Sequence, residues 1–273
     1  MRQLSAIPSP VLTITTTGFV ATVAQIIILR ELLVLFYGNE LSAGLIFAGW
    51  LLWSALGSGL AAKWAVKISA YISLLRLMLV CLSALLPLSV LFIRATRIFW
   101  ALPAGELPSV GKMLLISIAV TGSFCPISGA LFGICWAIHR EKGDRRSLWV
   151  YMGEALGSAA GGLIVYFVFL PYGSVFTTTW IVSGIGLMVS AWLLRPWRPA
   201  SNLRLDHLIW IAVSLMMVAG ALGGSRLDHL SRRWQWGSNL SAVYDTAFHN
   251  IAVQKKGSHV SAFTNGLCLF SEP

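Results

Sequence analysis

The sequence predicts an all-α polytopic membrane protein with about seven transmembrane helices and a short C-terminal β-strand tail. Three observations carry that prediction. Seven apolar runs are each close to the roughly 20 helical residues needed to cross a hydrocarbon core of about 30 Å. Only 11% of the 273 residues are charged against 57% hydrophobic, where a soluble domain carries about 25% charged residues. After Gly224 the apolar runs cease and a strand-like pattern begins near residue 243.

The apolar runs lie near 11–36, 41–62, 69–93, 113–138, 147–170, 174–194 and 206–223. Backbone groups in lipid have to be satisfied within the segment, so these runs are expected to be helices. Residues 96–111 are short and broken by Pro103 and Pro108, which suits an interfacial or re-entrant segment. Residues 139–146 and 195–205 are basic loops. Three units are expected: a transmembrane domain over 1–223, an interfacial helix and linker over 224–241, and a strand segment over 242–273. In the linker, Leu227, Leu230 and Trp234 share one helical face among Arg226, Arg232 and Arg233, a pattern that suits a helix lying in the interface. In the tail, Lys256-Gly257-Ser258 and Asn265-Gly266 are turn signals. The tail has too few residues to form a core of its own.

The net charge is +10. The basic residues mostly sit between the apolar runs, so they are read as setting membrane orientation and not as a nucleic-acid surface. Counted by side, they place the N-terminus in the cytoplasm and the tail outside. The lipid bilayer is the expected partner. Cys81, Cys125, Cys135 and Cys268 form no CxxC pair, so neither a disulfide framework nor a metal site is expected. The five histidines form no i, i+4 pair within a run, which argues against haem or a metal.

Gly153, Gly157 and Gly161 recur at four-residue spacing in the fifth run, as do Gly129 and Gly133 in the fourth. Such faces let helices approach closely. Glu154 beside them, and Arg30 with Glu31 near the end of the first run, are ionisable groups in apolar surroundings and therefore candidate substrate-binding residues. Arg30 and Glu31 point about 100° apart on a helix, so each is expected to pair across helices, for example with Glu40 or Glu154. Gln25 is of the same class, and Arg76 is expected to snorkel. An internal echo links Ser54-Ala-Leu-Gly-Ser-Gly-Leu-Ala61 to Glu154-Ala-Leu-Gly-Ser-Ala-Ala-Gly161. The offset spans three helices, and units with an odd number of spans repeat with inverted topology, as in transporters.

Three stretches carry a resemblance: QIIILRELLVLFYGNEL (25–41), GALFG (129–133) and YMGEALGSAAGGLIVYFVFLP (151–171). They resemble the multi-span, major-facilitator-like region of bacterial membrane-bound spermidine-synthase-like proteins. The tail is similar to the first strands of aminopropyltransferases. There Thr246 to Val253 falls on a Ser-x-Tyr-Gln-x-Ile-x-Val-like strand, and Asn265 to Glu272 falls on an (Asp/Asn)-Gly-x-x-Gln-x-Ser turn and strand. His249 and Leu269 stand where that family has Gln, and His249 joins the candidate substrate-binding residues on this ground. The resemblance implies a bacterial inner-membrane protein whose synthase domain binds decarboxylated S-adenosylmethionine. It places the nucleotide-binding and catalytic residues after Pro273, so this chain is expected to hold no cofactor and to be non-catalytic alone, with the synthase domain missing or supplied by a separate chain. The other readings are a transporter module for a small cation such as a polyamine and a structural membrane scaffold.

Overall fold

A computed structural model of the chain describes residues 10–65, 71–100, 107–140, 144–192, 203–246 and 249–272. Helices α1 (Pro10–Leu35), α2 (Glu40–Ala65), α3 (Tyr71–Phe99), α4 (Val110–Arg140), α5 (Asp144–Ile164), α7 (Val175–Trp192) and α8 (Leu203–Trp236) form the bundle. A π-turn (Val165–Phe169) and a single turn, α6 (Leu170–Tyr172), continue α5. Six stretches are long and apolar enough to cross a membrane: Leu12–Leu35, Glu40–Trp64, Ser73–Phe99, Val110–Arg140, Leu148–Tyr172 and Val175–Trp192. The chain is therefore a multi-pass helical protein by length and composition. The seventh apolar run lies inside α8, several of whose side chains are outside the described residues.

Local chemistry explains the helix ends. Tyr37 and Gly38 have φ of 62° and 66°, and the Gly38 N–H donates to the Leu33 carbonyl at 2.8 Å, closing α1 with a left-handed cap. Asn39 then caps α2, its Oδ1 accepting from the Leu41 N–H at 2.9 Å. Pro171 cannot donate, and its ring would crowd the carbonyl of Phe167. The π-turn just before it, in which the Leu170 N–H reaches Val165 O, opens the helix at that point. Ser174 Oγ accepts from the Thr177 N–H at 3.1 Å and starts α7.

The expected re-entrant segment shrinks. Residues 96–99 complete α3 and α4 begins at Val110; of the remainder, 101–106 lie outside the described residues. The expected interfacial helix is also different. Residues 225–236 continue α8 without a break, and it is the polar side that is buried, through Ser231, Arg232 and Gln235, while Leu230 and Trp234 are exposed. Of its three arginines, Arg232 meets acidic groups of the protein, Asp228 and Asp245, while Arg226 and Arg233 are exposed. Arg76 does not snorkel; it is 5% exposed.

The tail folds as a four-stranded antiparallel meander in the order β1 (Leu240–Asp245), β2 (Asn250–Lys256), β3 (His259–Thr264), β4 (Leu267–Glu272). Both expected turns are present, with positive φ at Gly257, Asn265 and Gly266. The sheet borrows its core from the bundle: Ala252 and Phe263 pack with Val34 and Trp236. Gly266 lies directly on Tyr37 and the Val34 carbonyl, where a Cβ has no room. Arg97 stacks over Tyr37 and Trp236, 5.5 and 5.1 Å from the ring centres. The sheet therefore sits on the bundle face where α1, α3 and α8 end, opposite the face where α1 begins.

That placement gives a test of sidedness. Cys268 on β4 is exposed, whereas Cys125 and Cys135 are buried and Cys81 is half-buried. A membrane-impermeant maleimide is expected to label Cys268 only from the face opposite the N-terminus. Labelling of Cys268 and of an N-terminal tag from the same side would contradict the arrangement.

Candidate functional site

The sequence-selected residues separate into two places. Glu154 lies beside the Gly18 region of α1, whereas Arg30 and Glu31 stand near the other end of α1, about 20 Å away at 1.5 Å per residue. Neither pairs with Glu154 or Glu40 among the described residues.

Glu31 is instead held by Arg94 of α3, which is fully buried. The guanidinium forks onto the carboxylate, Nε donating to Oε2 at 2.9 Å and Nη2 to Oε1 at 2.8 Å. Its Nη1 donates to Asp228 Oδ1 at 2.9 Å and to Ser231 Oγ at 2.8 Å, both on α8. Arg232, one turn on, donates from Nε to Asp228 Oδ2 at 2.8 Å and from its Nη2 to Asp245 Oδ2 on β1. Asn250 Nδ2 donates to the other Asp245 oxygen at 2.7 Å. Arg30 Nη2 donates to the Thr246 carbonyl at 2.7 Å.

Glu31, Arg94, Asp228, Arg232 and Asp245 form one connected network, and Arg30 stands beside it on the Thr246 carbonyl as a third guanidinium to the three carboxylates. Formal charge balances across these groups. A bidentate Arg–carboxylate pair fixes geometry as well as sign. The network joins α1, α3, α8 and the first two strands, so it ties the sheet to the bundle. Beside it, Asp228, Arg232 and Asp245 line a groove of about 480 Å³ between α6 and β1. Arg94, Asp228 and Asp245 escaped the sequence reading. The available signal was that Arg94 and Asp228 each interrupt or flank an apolar helix and that an unpaired buried charge is costly.

Asp245 supplies a pH prediction. Burial pushes its carboxyl up, but Arg232 and the hydrogen bonds from Asn250 and Arg232 outweigh this and hold it below the usual carboxylate range. A carboxyl lowered by folding stabilises the fold above its unfolded value of about 3.9 and loses that contribution as pH falls through the folded value. Amide exchange in β1 and β2, corrected for intrinsic rates, is expected to stay slow down to about pH 4 and to accelerate below it. Asp245→Asn removes that acid limb; an unchanged limb in the variant would contradict the assignment.

His249 is exposed at the turn before β2, with its N–H on Thr246 Oγ1 at 2.9 Å. It joins neither Glu154 nor the charge network through its side chain. Leu269 is exposed on β4.

The glycine faces pack as expected. A Cβ on Gly157 would meet the Thr15 carbonyl, on Gly161 the Phe19 carbonyl, on Gly129 the Ser54 carbonyl and on Gly133 the Ser58 carbonyl. Gly153 is buried on the same face of α5. Thus α5 lies against α1 and α4 against α2, with backbones in contact. Between these two pairs is a cavity of about 430 Å³ that Glu154 lines. Glu154 has no ionic or hydrogen-bonding partner among the described residues. No group of three or more metal-ligating side chains occurs among the described residues.

These features define a class: a polytopic α-helical membrane protein with a small sheet locked onto one end of its bundle. No protein-family profile, no curated protein and no solved structure matches the chain.

Proposed function

We propose that the chain is the membrane-embedded portion of an aminopropyltransferase-like protein, a seven-span platform that holds the opening strands of a synthase domain in fixed register on one membrane face. The observation that carries this reading is the buried network from Glu31 through Arg94, Asp228 and Arg232 to Asp245. The desolvation cost of such buried pairs offsets much of their attraction, so their contribution in this reading is to fix the geometry of the sheet on the bundle. Further support comes from β4, which is exposed along its whole length and forms one edge of the meander. An edge of this kind is a surface for further pairing. The residues that carry the resemblance at Asn265-Gly266 also form the turn that seats on α1.

Catalysis in this reading belongs to a domain that binds decarboxylated S-adenosylmethionine; the chain supplies its anchorage. The test uses protein isolated from its native membranes. Its intact mass is compared with the 29.7 kDa of this chain, and aminopropyl transfer to a diamine is assayed in the same preparation. A heavier protein, or a tightly bound second chain, together with transfer supports the reading. A particle of this mass alone without transfer overturns it.

A further inference from the structure

The echo between residues 54–61 and 154–161 has a three-dimensional counterpart. Gly57 of α2 lies on the Pro126 carbonyl of α4, and Gly157 of α5 lies on the Thr15 carbonyl of α1. Gly129 lies on the Ser54 carbonyl, and Gly18 on the Glu154 carbonyl. Each contact is the image of the other under the exchange of α1 with α4 and α2 with α5. The equivalent positions differ by 100 residues in α2 and α5, and by 111 in α1 and α4.

The third helices obey the same rule. Ser183 Oγ of α7 donates to the Ser83 carbonyl of α3 at 2.6 Å. Positions 83 and 183 are again 100 apart, and a residue touches its own equivalent only near a two-fold axis. Burial agrees: the α2 and α5 spans are each 17% buried, whereas the other four are 50–56% buried. The first six spans are therefore two inverted three-helix halves about a pseudo-two-fold axis.

The 430 Å³ cavity lies across that exchange. Thr17 and Ser128, Ser54 and Glu154, and Ser58 and Ser158 line it as equivalent pairs. One pair breaks the chemical symmetry, since Glu154 replaces a hydroxyl by a carboxylate about 9 Å into its span at 1.5 Å per residue. Ser54 Oγ, its equivalent, is buried without a hydrogen-bond partner. Trp50 and Phe132 add two aromatic rings to the wall.

We propose that this cavity is a binding site for a small organic cation with a single ammonium head, with Glu154 as its counter-ion. A carboxylate at this depth requires a positive partner or water. Ammonium N–H groups complete the serine and threonine hydroxyls, and aromatic faces attract the cation further. A single carboxylate balances a single charge. Inverted repeats place such sites at their mutual interface, and this site is independent of the sheet and its charge network.

The test is calorimetric titration of butylammonium into the full chain held in zwitterionic lipid nanodiscs, with butanol as the neutral isostere. Saturable binding is expected, weakened about tenfold or more in Glu154→Gln, the loss that goes with one charge-assisted contact. Glu154→Asp, which keeps the charge, retains binding, and Glu40→Gln, at the exposed start of α2, leaves it unchanged. The exchange Glu154→Ser with Ser54→Glu moves the carboxylate to the equivalent position and is expected to recover binding. Native protein that fails to bind, equal binding of butanol, or full affinity in Glu154→Gln would overturn the proposal. Failure of the exchange variant, shown to be folded by its unfolding temperature, would overturn the pseudo-two-fold placement.

Discussion

Replacing Arg94 with methionine is expected to destabilise the protein by roughly 3–5 kcal/mol, the cost of breaking a buried ion pair by removing one partner. Arg94 is fully buried and carries the hydrogen bonds that satisfy Glu31 and Asp228 together. Its loss strips Glu31 and Asp228 of the guanidinium they share and leaves both carboxylates desolvated, although Asp228 keeps the guanidinium of Arg232. The sheet should loosen first, because its link to the bundle passes through Asp228 and Arg232. Thermal unfolding in detergent micelles, read together with amide exchange in β1 and β2, checks both parts. Adding Glu31→Gln to Arg94→Met should cost less than the two single changes summed, since the double variant removes one of the stranded charges. Strict additivity would show that Glu31 and Arg94 act separately.

Gly157→Val is the second large effect. A Cβ added at Gly157 would meet the Thr15 carbonyl and the Phe19 amide nitrogen, so it collides with backbone and not with a mobile side chain. Overpacking of this kind costs about 3 kcal/mol or more when the backbone has to shift. The α1/α5 pair should part, and the cavity beside Glu154 should lose its shape. Gly162→Val on the same helix meets open space and is the control. The two variants share residue type, helix and β-branching, so a difference between them in unfolding temperature isolates the close approach. Equal effects would mean that helix propensity alone had been measured.

The parts of this fold that could be read from the sequence are those fixed by local rules. Hydrocarbon thickness sets a length, so the six spans were visible as apolar runs. The four-residue glycine spacing showed where backbones could touch, because a helix turns through just over a full circle in that interval. Asn265-Gly266 announced a hairpin, since few other dipeptides tolerate two successive positive φ values. The echo between 54–61 and 154–161 falls on helices whose glycine contacts match, Gly57 on the Pro126 carbonyl and Gly157 on the Thr15 carbonyl.

Partnerships were not legible in the same way. Glu31 finds Arg94 at a separation of 63 residues, and Arg94 finds Asp228 at 134, distances at which sequence imposes no rule of pairing. Residues 225–236 show the limit most plainly: their amphipathic pattern fits a lipid interface and a protein interface alike, and only the presence of Asp228 beside Arg94, and of Asp245 beside Arg232, decides for protein. By itself the sequence determined that the chain forms helices long and apolar enough to cross a membrane, followed by hairpin-forming strands, because solvent transfer and turn chemistry act on neighbouring residues. Tertiary structure alone decided which buried charges neutralise one another, on which end of the bundle the sheet sits, and that Glu154 faces a shared cavity, because each of these depends on contacts between segments far apart in the chain.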